Sequence, residues 1–296
     1  MEIDFIGMSL NLGANKLGVE SGFDVLDKEL DLVRLFGKHP SRILTNIVCP
    51  SFDTVEHTDG LMKNRDLLFS CNQKLGDAVY SSLEQGHFPI VIGGDHALAW
   101  GSISGVAKHA PEVGCIYIDA HGDFNPAEES PSHNVHGMHM SYLMGMVDSP
   151  EVDFYEKGVK LSTRNVFFVG TRSLDPAEVR LAKDYQLNIQ TSDEIRTRGI
   201  EVVTDELIAK MEETGLQRFH ISFDIDSIDP LLAPGTGVPE CNGITVENVK
   251  YLLTQLFATK KIISLDFVEF NPLLDVDEKT LKICKDLLEV IDLNIK

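Results

Sequence analysis

The sequence predicts an α/β fold, a mostly parallel sheet covered by helices on both faces. Two observations carry that expectation. Short runs rich in Val, Ile and Phe alternate with helical patterns from one end of the chain to the other. Clusters of Asp and His fall where three of those runs stop, and open α/β sheets place their ligands at strand ends. The 296 residues suit one large domain or two small ones, and no repeat, low-complexity tract or Pro/Ser-rich linker divides them.

Extended candidates are, in order, residues 3–8, 43–48, 88–92, 115–119, 166–169, 219–226 and 262–268. Most are short and apolar throughout, as strands buried on both faces are. Helical candidates lie between them at 60–85, 97–108, 176–184, 204–214, 246–258 and 278–292. Asp175 followed by Pro176 reads as an N-cap with proline at the first helical position, where its missing N–H would have no partner anyway.

Charge narrows the function. Lys and Arg total 26 against 46 Asp and Glu, a net −20. That sign argues against nucleic acid and anionic lipid as partners, both of which need a basic surface. No apolar run approaches the roughly 18 residues of a membrane span. The opening MEIDFIGMSL has Glu2 and Asp4 in place of the basic start of a signal peptide. Cys49, Cys71, Cys115, Cys241 and Cys284 are far apart and odd in number, which favours a reducing, cytoplasmic setting over a disulfide framework.

Three clusters carry the chemistry. Asp119-Ala120-His121-Gly122-Asp123 follows an apolar run, and as a continuation of that extended segment its three ligand-type side chains, Asp119, His121 and Asp123, point one way. Ser222-Phe223-Asp224-Ile225-Asp226 repeats the pattern, with Asp224 and Asp226 on one side. Gly93-Gly94-Asp95-His96 adds a tight turn, an imidazole and a capping Asp. Brought together, His96, Asp119, His121, Asp123, Asp224 and Asp226 would place four carboxylates in one pocket. Two divalent cations would balance that charge, and carboxylate and imidazole donors without thiolate favour Mn²⁺, Zn²⁺ or Fe²⁺. Paired metals are a recurring hydrolytic device.

These motifs, with Gly18-Val19-Glu20-Ser21-Gly22 near the start and Glu269-Phe270-Asn271-Pro272 near the end, resemble the ureohydrolase family of arginases, agmatinases and their relatives over nearly the whole chain. The resemblance implies one three-layer α/β/α domain spanning residues 1–296, an arginase-like eight-stranded parallel sheet, and two manganese ions. It implies that His96, Asp119, Asp123 and Asp224 bind one ion and Asp119, His121, Asp224 and Asp226 the other, so that Asp119 and Asp224 bridge. It also implies a homotrimer or a homohexamer.

The segment 124–138 resembles the arginase substrate loop. By that likeness Asn125, Ser130 and Ser132 receive an α-carboxylate, while Asn134 and Asp175 face an α-ammonium group. His136 matches the proton-shuttling position, and a free imidazole pKa of about 6.5 suits transfer near neutrality. Glu269 matches the carboxylate that pairs with the guanidinium. The implied reaction is hydrolysis of L-arginine to L-ornithine and urea by a metal-bridging hydroxide, which Asp123 would hydrogen-bond. The alternatives are an agmatinase, a guanidino-acid hydrolase or a metal-binding family member without turnover. Four positions depart from the common pattern: Ala97, Val238, His133 and His139, the last two standing where Gly and Pro are usual. Val238 and His133 put substrate preference in question, and His139 reads as incidental. His39, His57, His87, His109 and His220 fall outside the motifs and read as surface or core.

Overall fold

Residue-by-residue alternation along the central strands builds two cores. The computed structural model describes residues 1–56 and 60–295, so His57 lies outside the described residues. Strands β1 (Ile3–Ser9), β2 (Ser41–Val48), β3 (Phe88–Ile92), β4 (Gly114–Ile118), β5 (Val166–Thr171), β6 (Asn188–Thr191), β7 (Phe219–Asp224) and β8 (Ile262–Val268) form one sheet in the order β2-β1-β3-β8-β7-β4-β5-β6. Every neighbouring pair is parallel. On β4, Ile116 and Ile118 point to one face and Cys115 and Tyr117 to the other.

The first face packs on α1 (Gly22–Leu30), α2 (Leu32–Leu35) and, from later in the chain, the helices Ser192–Arg198, Ile200–Glu213, Val246–Ala258 and Lys279–Asn294. The second face packs on α3 (Arg65–Glu84), α4 (Ala99–His109), α5 (His139–Leu143) and α6 (Pro176–Asp184). The result is a single α/β/α domain. Its parallel strands all end at one edge, and the crossover loops there carry the polar clusters.

Several local expectations change. Residues 119–123 are not extended: β4 stops at Ile118, and Asp123 takes a left-handed φ of 56°. The strand through 226 likewise ends at Asp224, and Ile225–Ser227 is a 3₁₀ turn. The cause is local capping. Asp119 Oδ1 accepts from the His121 N–H at 2.7 Å, and Asp224 Oδ1 from the Asp226 N–H at 2.8 Å, so each aspartate turns its own backbone out of the sheet. The helix expected from residue 60 starts at Arg65, after Asn64 at φ 56°, and the one expected from 204 starts at Ile200.

Candidate active site

Glycine brings the first imidazole in. Gly93 and Gly94 hold φ of 93° and 80°, and a Cβ on Gly94 would sit 2.9 Å from the Met8 carbonyl oxygen. The chain thus doubles back against β1. Asp95 then caps the 3₁₀ turn at His96 through the Ala97 N–H, as its sequence position suggests, and its other oxygen accepts from Gly13 and Ala14 N–H at 2.8 and 3.0 Å.

The three clusters converge. His96, Asp119 and Asp123 bring one ligand atom each within 4.8 Å of one another, and so do Asp119, His121 and Asp226. Asp119 belongs to both triads. Asp224 falls in neither, but its Oδ2 lies 3.2 Å from His96 Nδ1. His121 Nδ1 lies 3.1 Å from Asp226 Oδ2.

Proton accounting tests whether these groups fit a cation. Ser222 Oγ donates to Asp266 Oδ2 at 3.4 Å, and His96 Nε2 lies 2.9 Å from Ser222 Oγ. Since the hydroxyl proton goes to Asp266, the serine oxygen accepts from His96 Nε2–H. A neutral ring of this tautomer presents Nδ1 as a lone pair, 2.8 Å from Asp119 Oδ2 and 3.4 Å from Asp123 Oδ2. Burial opposes charge on His96, but with no cation bound Asp119 and Asp224 raise its pKa well above the ordinary imidazole value. Asp119 Oδ2 is buried without a hydrogen-bond partner. Acceptors facing acceptors among buried side chains fit a shared positive ion. The carboxyl groups respond accordingly. Burial, with Asp119 beside it, pushes Asp123 up to about 7. Burial and neighbouring aspartates also raise Asp224 and Asp226. Burial opposes the charge of Asp119, yet His121 and His96 hold it below the carboxylate range.

A cavity of about 220 Å³ opens beside the second triad, lined in part by His121, Asp123, Asn125, Ser130, Ser132 and His136. Ser173, Asp175, Glu178, Val238 and Glu240 also line it. Ser130 Oγ accepts from the His133 N–H and Ser132 Oγ from the Asn134 N–H, both at 3.1 Å, which leaves each hydroxyl proton to donate. Asn125 Nδ2 donates to Asp175 Oδ2 at 2.8 Å. Asn134 does not line this cavity as expected. Its side chain bonds Asn15 at 3.0 Å and the Ala14 carbonyl at 3.3 Å, tying the loop to the N-terminal segment. His133 likewise turns inward, to the Ala127 carbonyl at 3.2 Å, whereas Val238 does reach the cavity.

Glu269 is buried behind His136, with Oε1 accepting from the His96 N–H at 2.9 Å and lying 3.6 Å from His136 Nδ1. Burial opposes charge on His136, but the Glu269 contact raises its pKa overall. The sequence assigns no role to four participants, and His139 among them reads there as incidental. Glu178 joins the centre to the cavity wall, accepting from Phe124 N–H at 3.0 Å and Asp175 N–H at 2.9 Å. Glu240 places a carboxylate 3.9 Å from His121 Nε2. Tyr117 and His139, both buried, meet beneath the centre. The i, i+3 spacing from the Asp175 N-cap could have pointed to Glu178; His139 shows only as a departure from the family's usual proline, and Tyr117 and Glu240 carry no local signal.

This constellation, at the edge of the parallel sheet where the strands end, is the kind that a hydrolytic metal centre needs. An Arginase family model matches residues 1–291. An arginase of Bacillus caldovelox is 34% identical over 97% of this chain and 96% of its own length, and a solved structure of arginase from that organism superposes with a TM-score of 0.92 at 32% identity, covering 98% and 97% of the two chains. Entamoeba histolytica arginase, solved with L-ornithine, gives 0.89 at 28% identity, covering 98% and 97%. The formimidoylglutamase of Bacillus subtilis shares the fold at 0.79 and 18% identity, covering 99% of this chain and 86% of its own. The chain belongs to the arginase family, and so is a ureohydrolase-type enzyme.

Proposed function

We propose that the protein is a manganese-dependent arginase, converting L-arginine and water to L-ornithine and urea. One observation supports this most: a cavity that runs from the His121 side of two ligand triads sharing Asp119 to the hydroxyls of Ser130 and Ser132, with acidic walls between. Such a cavity suits a substrate with a cationic reacting end and a carboxylate at the other.

His96, Asp119 and Asp123, with Asp224, would hold one ion, and Asp119, His121 and Asp226, with Asp224, the other. When bound, two such cations bring the pKa of water toward about 7 and so supply the nucleophile. The chain's own groups do the rest. Glu269 pairs with the guanidinium, whose planar donors suit a carboxylate. Asp123 orients the attacking water by a hydrogen bond. His136 carries protons between the departing ornithine nitrogen and solvent. Ser130, Ser132 and Asn125 receive the α-carboxylate, and Asp175 the α-ammonium group.

A trimer, or a hexamer built from trimers, and a cytoplasmic location belong to the same proposal. Among the described residues no helix is long and apolar enough to cross a membrane. A second reading has one observation in its favour: Glu240 adds a negative charge beside Val238 on the cavity wall, which suits agmatine, a substrate without a carboxylate. Urea release from arginine, agmatine and guanidinobutyrate, and ammonia or formamide release from formiminoglutamate, each with added Mn²⁺, separates these readings. Release from none of them would leave a metal-binding member without turnover.

A further inference from the structure

The Tyr117 hydroxyl has three partners and one proton. Asp123 Oδ2 lies 2.6 Å away, His96 Nδ1 3.0 Å and His139 Nε2 3.0 Å. The carboxylate oxygen can only accept, so it takes the hydroxyl proton. His96 turns its lone-pair nitrogen this way, because its other nitrogen donates to Ser222. With the hydroxyl proton on Asp123, the donor to the hydroxyl oxygen is His139 Nε2–H, and His139 Nδ1 is then a buried acceptor without a hydrogen-bond partner. The three groups sit on separate pieces of the fold. Tyr117 is on β4, His139 opens α5, and Asp123 lies in the loop between them. The Met140 N–H donates to the Asp123 carbonyl at 2.9 Å, binding the same helix to the same loop. Tyr117 also stacks on the His96 ring, 4.6 Å between centroids and 5° from parallel.

We propose that His139 and Tyr117 are positioning residues, a buried donor chain from His139 Nε2–H through the Tyr117 O–H to Asp123 Oδ2 that orients this carboxylate at the metal centre. The proposal rests on the two-metal reading above. His139 is thus not incidental: it stands where the family commonly has proline, a residue with no side-chain donor. The chain also braces the substrate loop, because Asn125 to Asn134 are spanned between its two anchors.

The test uses the full-length protein, freed of metal and titrated with MnCl₂ by calorimetry, alongside urea release. Tyr117→Phe keeps the stacked ring and removes the hydroxyl. It should weaken one of the two Mn²⁺ sites about tenfold or more and lower kcat with little change in KM, the usual 10–100-fold effect of removing a ligand's outer partner. His139→Leu should weaken the same site, His139→Gln should restore most of it through its amide N–H, and the double variant Tyr117→Phe/His139→Leu should be no worse than Tyr117→Phe alone. Nitrogen NMR of the wild-type histidines should report the Nε2–H tautomer for His139, a readout that needs no folded variant. Wild-type Mn²⁺ affinity in Tyr117→Phe, additive losses, or an Nδ1–H tautomer would each overturn the positioning role. If the wild type itself binds no Mn²⁺, the two-metal reading fails and the dyad falls with it. If the wild type binds two and Tyr117→Phe binds them equally well, only the dyad fails.

Discussion

His136 lines the cavity and lies 3.6 Å from Glu269, so it reaches both the reacting end and the outside. As a proton carrier it should be replaceable from solution. His136→Ala should lower kcat about a hundredfold, keep its Mn²⁺ content by elemental analysis, and regain part of its rate with added imidazole. Unchanged turnover would remove it from the mechanism. The two ends of the substrate should respond differently to substitution. Ser132→Ala loses one hydrogen bond to a charged group and should raise KM for arginine about tenfold, leaving agmatine almost untouched. Glu269→Ala should cost about a hundredfold or more in kcat/KM on both, since both carry the guanidinium. Parallel kinetics on the two substrates distinguish these patterns.

At the scale of elements, the far end of the sheet makes its own pH-dependent contribution. Asp4 on β1 is buried, with Arg42 Nε of β2 at 2.7 Å and His87 Nδ1 at 3.0 Å. Burial opposes its charge, but these partners hold its pKa below the ordinary carboxylate value. A carboxyl lowered in the folded state adds stability above its unfolded pKa of about 3.9, and loses it as pH falls through the lower folded value. Asp4→Asn should therefore cost about 2 kcal/mol at pH 7 and progressively less below about pH 4, measured by urea unfolding. A cost independent of pH would show that packing alone is lost.

Strands β1, β3, β4, β5 and β8 were legible because they are short and mostly apolar, even though β1 carries Asp4 and β8 carries Ser264 and Asp266. β6 was not: Asn188-Ile189-Gln190-Thr191 is a polar edge strand paired only with β5. The Ser192–Arg198 helix hides its start in the Thr191–Glu194 capping box, with few apolar positions after it. The candidate metal-ligand clusters were legible because each motif sits at a strand end, although the alternation argument gave the wrong local geometry for 119–123 and 224–226. Tyr117 and His139 were not legible, because what joins them is the packing of α5 under β4, and 22 positions separate them.

For the whole molecule, a net charge of −20 should draw cationic substrate toward an acidic cavity. Raising salt from about 50 to 500 mM should lower kcat/KM for arginine severalfold, mostly through association. Metal removal should lower the melting temperature, and Mn²⁺ should restore it, because four buried carboxylates lose their counter-charge. Calorimetric melts with and without chelator check this. The most direct measurement is kcat/KM for urea release from L-arginine and from agmatine by the Mn²⁺-loaded protein, side by side. Arginine should win by several orders of magnitude, since a site whose polar groups expect a carboxylate can discriminate by about 10⁴ against a ligand that lacks it. Equal rates, or a preference for agmatine, would contradict the assignment of Asn125, Ser130 and Ser132 to an α-carboxylate and with it the arginase reading.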